Sequence, residues 1–243
     1  MKVKASDFIK LLISKLGLGY VYSAIGQICS IALLMAAEKS YGKTMGDGYF
    51  QRGGDYTKGR CARWIGKICY DCSGIIKSAR KTLTGVWKDV SAQGLYDQCV
   101  KKRGSIASVP LVPGTLLFMY GSKQERMVHV GVYIGNGYAV ESRGVDYGVV
   151  KTTLSSRAWT HWGQPDWIEF DLPADGTKVT IGSEADSGDS STPKQDDAES
   201  LAEAMILDGI VTDKDYWTKV LKGQITPKPE YLQIAFRKAT TKK

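Results

Sequence analysis

Between residues 127 and 144 the chain reads MVHVGVYIGNGYAVESRG, with Val128, Val130, Val132 and Ile134 alternating with His129, Gly131 and Tyr133. A period of two predicts a strand that turns one face to the core and the other away from it. A hairpin follows, and burial decides its register. With a two-residue loop at Asn136-Gly137, Val132 would face Glu141, placing a carboxylate among valines at a cost on the order of several kcal/mol. A three-residue loop, Gly135-Asn136-Gly137, with Gly137 as the left-handed residue of a bulge, sets Val132 opposite Val140 and Gly131 opposite Glu141. The second arrangement is expected. It leaves Glu141 on the face of His129, on the diagonal.

Helical periodicity marks other stretches. Near the start, Phe8, Leu11, Leu12 and Leu16 fall on one face of a helix that Ser6 or Asp7 would cap. Ile75, Ile76, Ala79 and Leu83 share a face of a second helix, which places Cys72 in its first turn. The apolar run ICSIALLMAA, residues 28 to 37, is shorter than the roughly 20 residues a bilayer span takes, so no membrane span is expected. Asp7, Lys10 and Lys15 break the N-terminal apolar pattern, and no small-residue cleavage site follows it, so no signal peptide is expected either.

From about Pro173 the text turns poor in large apolar residues and rich in Gly, Ser, Asp and Pro, as in an extended linker. Periodicity then returns in three short stretches: Leu201, Ala204 and Met205, ending at Gly209; Tyr216, Trp217, Val220 and Leu221, ending at Gly223; and Tyr231, Ile234 and Ala235 after Pro229. The expected organisation is a main domain over 1–172, a linker over 173–198 and a three-helix module over 199–243.

Charge follows the same division. Residues 1–170 hold 23 Lys+Arg against 12 Asp+Glu, net +11, while residues 171–243 hold 10 against 13, net −3. The basic part favours polyanions. No Lys/Arg-rich helix, zinc-finger spacing or aromatic RNA-binding motif points to nucleic acid. An anionic bacterial wall is the other candidate. At 243 residues and 43% hydrophobic content the chain can bury a substantial core.

The five cysteines, Cys29, Cys61, Cys69, Cys72 and Cys99, are odd in number and irregular in spacing, as reduced thiols rather than a disulfide framework would be. The segment CYDCSG, with Cys69 and Cys72, admits three chemistries. A zinc site wants four ligands in paired spacing, which these cysteines and the two histidines, His129 and His161, do not offer. A redox pair wants a βαβ setting, and the upstream text is Gly- and charge-rich. A nucleophile wants a base held by a third group. Cys69 reads as a small buried residue. Cys72 stands where a helix dipole and unpaired N–H groups stabilise a thiolate and can cradle an oxyanion. His129 is the better base, since His161 lies in a Trp-flanked turn.

In this order LGLGYVYS at 16–23, DCSG at 71–74, VPGTLLFMYG at 112–121 and HVGVYIGNGYAVE at 129–141 resemble the NlpC-type family of papain-like cysteine peptidases, which cut bacterial peptidoglycan. The resemblance covers most of residues 6–170. It implies an α+β papain-like domain with N-terminal helices and a central antiparallel sheet, no cofactor, and a triad of Cys72 as nucleophile, His129 as base and Glu141 as third polar group. It further implies that Tyr20 lies against the nucleophile and that Asp71 and Ser73 hold the stem peptide. Three departures stand out: Glu141 replaces the usual His, Ser23-Ala24 replaces a Gly pair, and about 45 residues between Tyr20 and Cys72 form an added lobe.

The expected activity is cleavage of a peptide bond in the peptidoglycan stem or cross-link. The DGIVTDKDYWTKVL segment resembles C-terminal helices of phage lysins, so a phage or prophage endolysin is expected, made in the cytoplasm and acting on the wall after release. Three other readings stay open: an amidase cutting between sugar and peptide, a wall-binding protein without catalysis, and a phage-particle protein.

Overall fold

A computed structural model describes residues 2–175 together with Tyr216 and Lys219. Along the chain, β1 (Val3–Lys4) leads into α1 (Ala5–Ile13). Then come β2 (Gly19–Tyr20), β3 (Ile25–Ile28), α2 (Ile31–Met45), a 3-10 turn at Arg60–Trp64 and β4 (Ile68–Tyr70). Two helices follow, α3 (Cys72–Thr84) and α4 (Ala92–Gln98). The remainder is mostly strand: β5 (Val100–Ser105), β6 (Leu116–Gly121), β7 (Arg126–Gly135), β8 (Tyr138–Gly144), β9 (Gly148–Thr153), β10 (His161–Pro165) and β11 (Ile168–Glu169). The class is α+β, as expected.

Six strands form one antiparallel sheet in the order β5-β10-β6-β7-β8-β9. Its helical side is the main core, where Phe8 and Leu12 of α1, Ile75, Ile76 and Ala79 of α3, and Leu95 of α4 meet Leu116, Phe118, Val130, Val132 and Val140. Each fully buried side chain of this size stabilises the fold by about 1.5–3 kcal/mol. The opposite face is buried as well, contrary to the alternation argument. Leu117, Tyr133 and Ala139 lie under Leu154 and Trp159, because the chain after β9 folds back over the sheet and bonds Thr160 N–H to the Phe118 carbonyl at 2.8 Å.

The expected register of the hairpin is present, Val132 opposite Val140, but its loop is built differently. Asn136 and Gly137 take φ of 53° and 78° and close a two-residue turn. The extra residue is absorbed earlier, in a bulge between Tyr133 and Gly135, where Gly135 at φ 99° accepts a backbone that L side chains avoid. This turn twists with its strands, and the bulge keeps the valines inward. A second bulge separates the pairs Met119–His129 and Tyr120–Met127, so Val128, expected in the core, is 43% exposed and Met127 is buried instead.

Neither Ser6 nor Asp7 caps α1. Its N-cap is Lys4, without a side-chain bond, and the capping carboxylate comes from far along the chain: Asp171 accepts from the Ser6 N–H at 3.0 Å and the Ser6 hydroxyl at 2.6 Å. β1 pairs in parallel with β11, and Phe8 meets Trp167 edge to face at 5.0 Å.

The added lobe has its own small core of Val21, Cys29, Leu34, Ala37, Phe50, Cys61 and Cys69 around the β2-β4-β3 sheet. It is fastened to the β8–β9 turn. The Trp64 indole donates to the Val145 carbonyl at 2.6 Å, and Arg60 and Arg63 both pair with Asp146.

The chain divides into two compact units, Met1–Asp186 and Ser187–Lys243. In the first, the Asp175 N–H bonds the Leu111 carbonyl and the Asp175 carboxylate accepts from Tyr133, so its contacts run past the expected boundary at 172. Residues 176–198 of the linker expected over 173–198, and the three-helix module expected over 199–243, lie outside the described residues, apart from Tyr216 and Lys219, each of which is helical. Among the described residues no helix is long and apolar enough to cross a membrane.

Candidate active site

Cys72 opens α3, and its neighbour fixes that start. Asp71 has extended backbone, and its carboxylate accepts from the Gly74 N–H at 2.5 Å and the Ser73 hydroxyl at 3.0 Å, satisfying donors that a helix start leaves unpaired. The half-buried Cys72 is thereby held at the first helical position, where the helix dipole favours negative charge. Burial is the main influence on Asp71 and raises its pKa, opposed by the bonds from Gly74, Ser73 and the Ser23 backbone. Ser23 makes that bond from the left-handed region, at φ 69°, where a glycine would sit without strain.

His129 projects from β7. Its Nε2 lies 2.6 Å from Glu141 Oε2 on β8, and Cys72 is near enough to influence the ring. With Nε2 committed to the carboxylate, Nδ1 is the nitrogen left for the thiol. The Trp159 ring stacks on the imidazole, centroids 5.8 Å apart and planes at 21°. Gly131 makes room for that stack: a Cβ there would come within 2.8 Å of the Trp159 ring and 3.1 Å of Glu141 Cβ. Burial opposes charge on His129, but hydrogen bonds and charge from Cys72 and Glu141 outweigh it and hold the pKa up to about 9.

Glu141 is wholly buried. Oε1 accepts from Thr152 Oγ1 of β9 at 2.8 Å and from Arg157 Nε at 2.8 Å, while Oε2 accepts from Arg157 Nη2 at 2.9 Å beside its bond to His129. Burial alone would push its pKa up; His129 and Arg157 together bring it down to about 2. Arg157 escaped the sequence reading. It sits in an irregular turn after β9 with no periodicity to mark it. The available signal was physical: a carboxylate beside His129 on a covered face demands a cation.

The structure brings Tyr20 to the same place. Its strand pairs with β4, Tyr20 against Tyr70, two residues before Cys72. Burial foremost, then the charge of Cys72, push the phenol well above its usual range, so it stays a neutral hydrogen-bonding group. Tyr22 also feels Asp71 and Cys72, and it meets Tyr41 of α2 edge to face at 5.1 Å, so the lobe contributes to this wall of the site. Asp71 and Ser73 are nearly closed to solvent and already bond each other.

The other expected or excluded residues lie elsewhere. Cys69 is fully buried in the lobe core, and its hydrogen bond with Cys29, followed by burial, raises its pKa far above that of an ordinary thiol. It therefore faces a different core from Cys72. His161 lies on β10 between the rings of Tyr96 and Tyr120, and burial lowers its pKa. Among the described residues no group of three or more His, Cys, Asp or Glu side chains is arranged to hold a metal ion.

Residues 49–164 match the model of the NlpC/P60 family. The chain is 30% identical over 104 residues to the murein DD-endopeptidase MepH of Escherichia coli (strain K12), a match that takes in 42% of this chain and 38% of that protein's length. Among solved structures, the NlpC/p60 domain of the peptidoglycan hydrolase SagA is 15% identical, with a TM-score of 0.40 over 67% of this chain and 99% of that one. The peptidoglycan hydrolase RipB from Mycobacterium tuberculosis is 19% identical, with a TM-score of 0.39 over 66% and 65%. The family match begins at residue 49, so LGLGYVYS at 16–23 falls outside it, although β-pairing carries Tyr20 to the site. Cys72, His129, Glu141 and Arg157 all fall inside the span that matches the NlpC/P60 family.

Proposed function

We propose that this chain is a peptidoglycan hydrolase that cleaves a peptide bond in the wall stem or cross-link through Cys72, His129 and Glu141. The observation that carries the reading is the 2.6 Å bond between the His129 imidazole and the buried Glu141 carboxylate, with Cys72 at a helix start acting on the same ring. In the reaction Cys72 passes its proton to His129 and the sulfur attacks the carbonyl carbon of the substrate. The backbone N–H of Cys72, at the start of α3, is placed to stabilise the oxyanion. Collapse of the tetrahedral species breaks the C–N bond, with His129 delivering its proton to the departing amine. Water, deprotonated by the same imidazole, then cleaves the thioester and restores the thiol. Glu141 orients the ring and balances its charge throughout. Tyr20, Asp71 and Ser73 are proposed to bind the stem peptide.

The test is mass spectrometry of fragments released from purified walls. Free γ-glutamyl ends are expected; free muramic acid would instead identify an amidase, and no fragments a binding protein. Cys72→Ala should abolish release while Cys69→Ala retains most of it, because only Cys72 faces a base. Equal loss in both variants, with disulfide-exchange activity in the parent, would overturn the peptidase. The resemblance of DGIVTDKDYWTKVL to lysin helices supports a phage or prophage enzyme whose C-terminal module and basic main domain hold it on the wall and its anionic polymers.

A further inference from the structure

We propose that Arg157 is a positioning residue of this site: its guanidinium fork keeps the buried Glu141 ionised and sorts its two oxygens, so that Oε2 is aimed at His129. The inference rests on the peptidase reading and extends it to a residue outside the triad. Planar pairing of this kind fixes direction as well as charge, because Nε and Nη2 each take a different oxygen, at 2.8 and 2.9 Å. Thr152 fills a second site on Oε1 at 2.8 Å. Oε1 is thus occupied by two donors, and Oε2 is turned toward His129 at 2.6 Å.

Such an arrangement answers a specific difficulty. A carboxylate with no solvent exposure would take up a proton, and a protonated Glu141 would no longer hold an imidazolium. The charged or titratable groups that face Glu141 are His129 from β7 and Arg157 beyond β9, with Cys72 of α3 on the far side of the imidazole. His129 changes charge during the reaction, whereas an arginine does not. Arg157 is therefore the constant cation, and Glu141 stays anionic when His129 gives up its proton to the leaving amine. Arg157 is itself mostly covered, its side chain 17% exposed, and its guanidinium lies 5.8 Å from the Trp159 ring that stacks on His129. One side chain thus braces both supports of the imidazole.

The test uses the full chain in four variants, Arg157→Met, Arg157→Lys, Glu141→Gln and the Arg157→Met/Glu141→Gln double variant. Turnover is measured on a soluble stem peptide, and the Glu141 carboxyl is followed by carbon-13 NMR against pH. In Arg157→Met the carboxyl midpoint should rise by at least about one pH unit, with kcat down about 10- to 100-fold and KM little changed. Arg157→Lys keeps the charge and loses the fork, so the midpoint should stay low while kcat still falls. The double variant should be no slower than Glu141→Gln alone, since both changes act through one carboxylate. An unmoved midpoint in Arg157→Met, or losses that multiply in the double variant, would overturn the proposal. If Arg157→Met does not fold, Arg157→Lys decides: parent-like kcat refutes the positioning role, and reduced kcat with a low midpoint supports it. Should Cys72→Ala retain hydrolysis, the peptidase reading fails, yet the carboxyl titration still reports whether Arg157 governs Glu141.

Discussion

At the scale of single residues, the site places an anion where water cannot reach it and then surrounds that anion with donors. Replacing Glu141 by Gln keeps the shape and removes the charge, which leaves the Arg157 guanidinium mostly buried without its partner. The variant should lose turnover by about 10- to 1000-fold and, because one half of a buried pair is gone, about 3 kcal/mol of stability. Differential scanning calorimetry checks the second number. The two shifted groups also set a pH window. The pKa of His129 is raised in the fold, so the stability it contributes is complete below its ordinary 6.5 and is lost as pH climbs through about 9. That of Glu141 is depressed, so its contribution is complete above 4.5 and is lost as pH falls through about 2. The stability gap between parent and Glu141→Gln should therefore be widest between about pH 4.5 and 6.5 and narrow on the alkaline side; a gap flat from pH 5 to 9.5 would show that the two groups do not interact. Turnover should fall over the same alkaline range, as His129 loses the proton that the leaving amine requires.

At the scale of elements, what the sequence made legible was whatever depended on a local period or a local charge. Ile75, Ile76 and Ala79 announced the face of α3, hence the position of Cys72, and the cost of burying Glu141 among valines selected the register of the hairpin. Burial itself was the misleading part. The face of β7 that holds His129 looked open because its residues are His, Gly and Tyr, yet Trp159 and Leu154 from a later turn close it, and long-range cover of that kind leaves no period in the strand it covers. Bulges were hidden for a similar reason: one extra residue at Val128 or Ile134 breaks alternation only once pairing with β6 or β8 is known. Gly131 joins these two levels. Gly131→Ala should destabilise the domain by about 1–3 kcal/mol through overpacking against Trp159, and should slow turnover by tilting the ring that supports His129. A variant with parent stability and rate would mean that the stack has slack, and that Trp159 is not what aligns the imidazole.

At the scale of the whole molecule, the basic main domain and the acidic C-terminal part make separable predictions. Removing residues 176–243 should weaken co-sedimentation with whole walls while leaving cleavage of a soluble stem peptide within about twofold, since the described site draws on residues before 176 alone. Wall binding that persists in the truncated protein and falls with added salt would place the anchor on the basic domain instead. The seam between β1 and β11 has a consequence in time rather than space. During synthesis α1 emerges well before β11, but its cap is Asp171 and the ring against Phe8 is Trp167, so Ser6 waits for a partner 165 positions later in the chain. Closing so long a loop is slow compared with forming a local helix. Until it closes, α1 lacks its cap and Phe8 its aromatic partner, and α3, which carries Cys72, packs against an unanchored neighbour. A chain cut short before Trp167 would thus carry Cys72, His129 and Glu141 and still lack both the ring against Phe8 and the cap of α1.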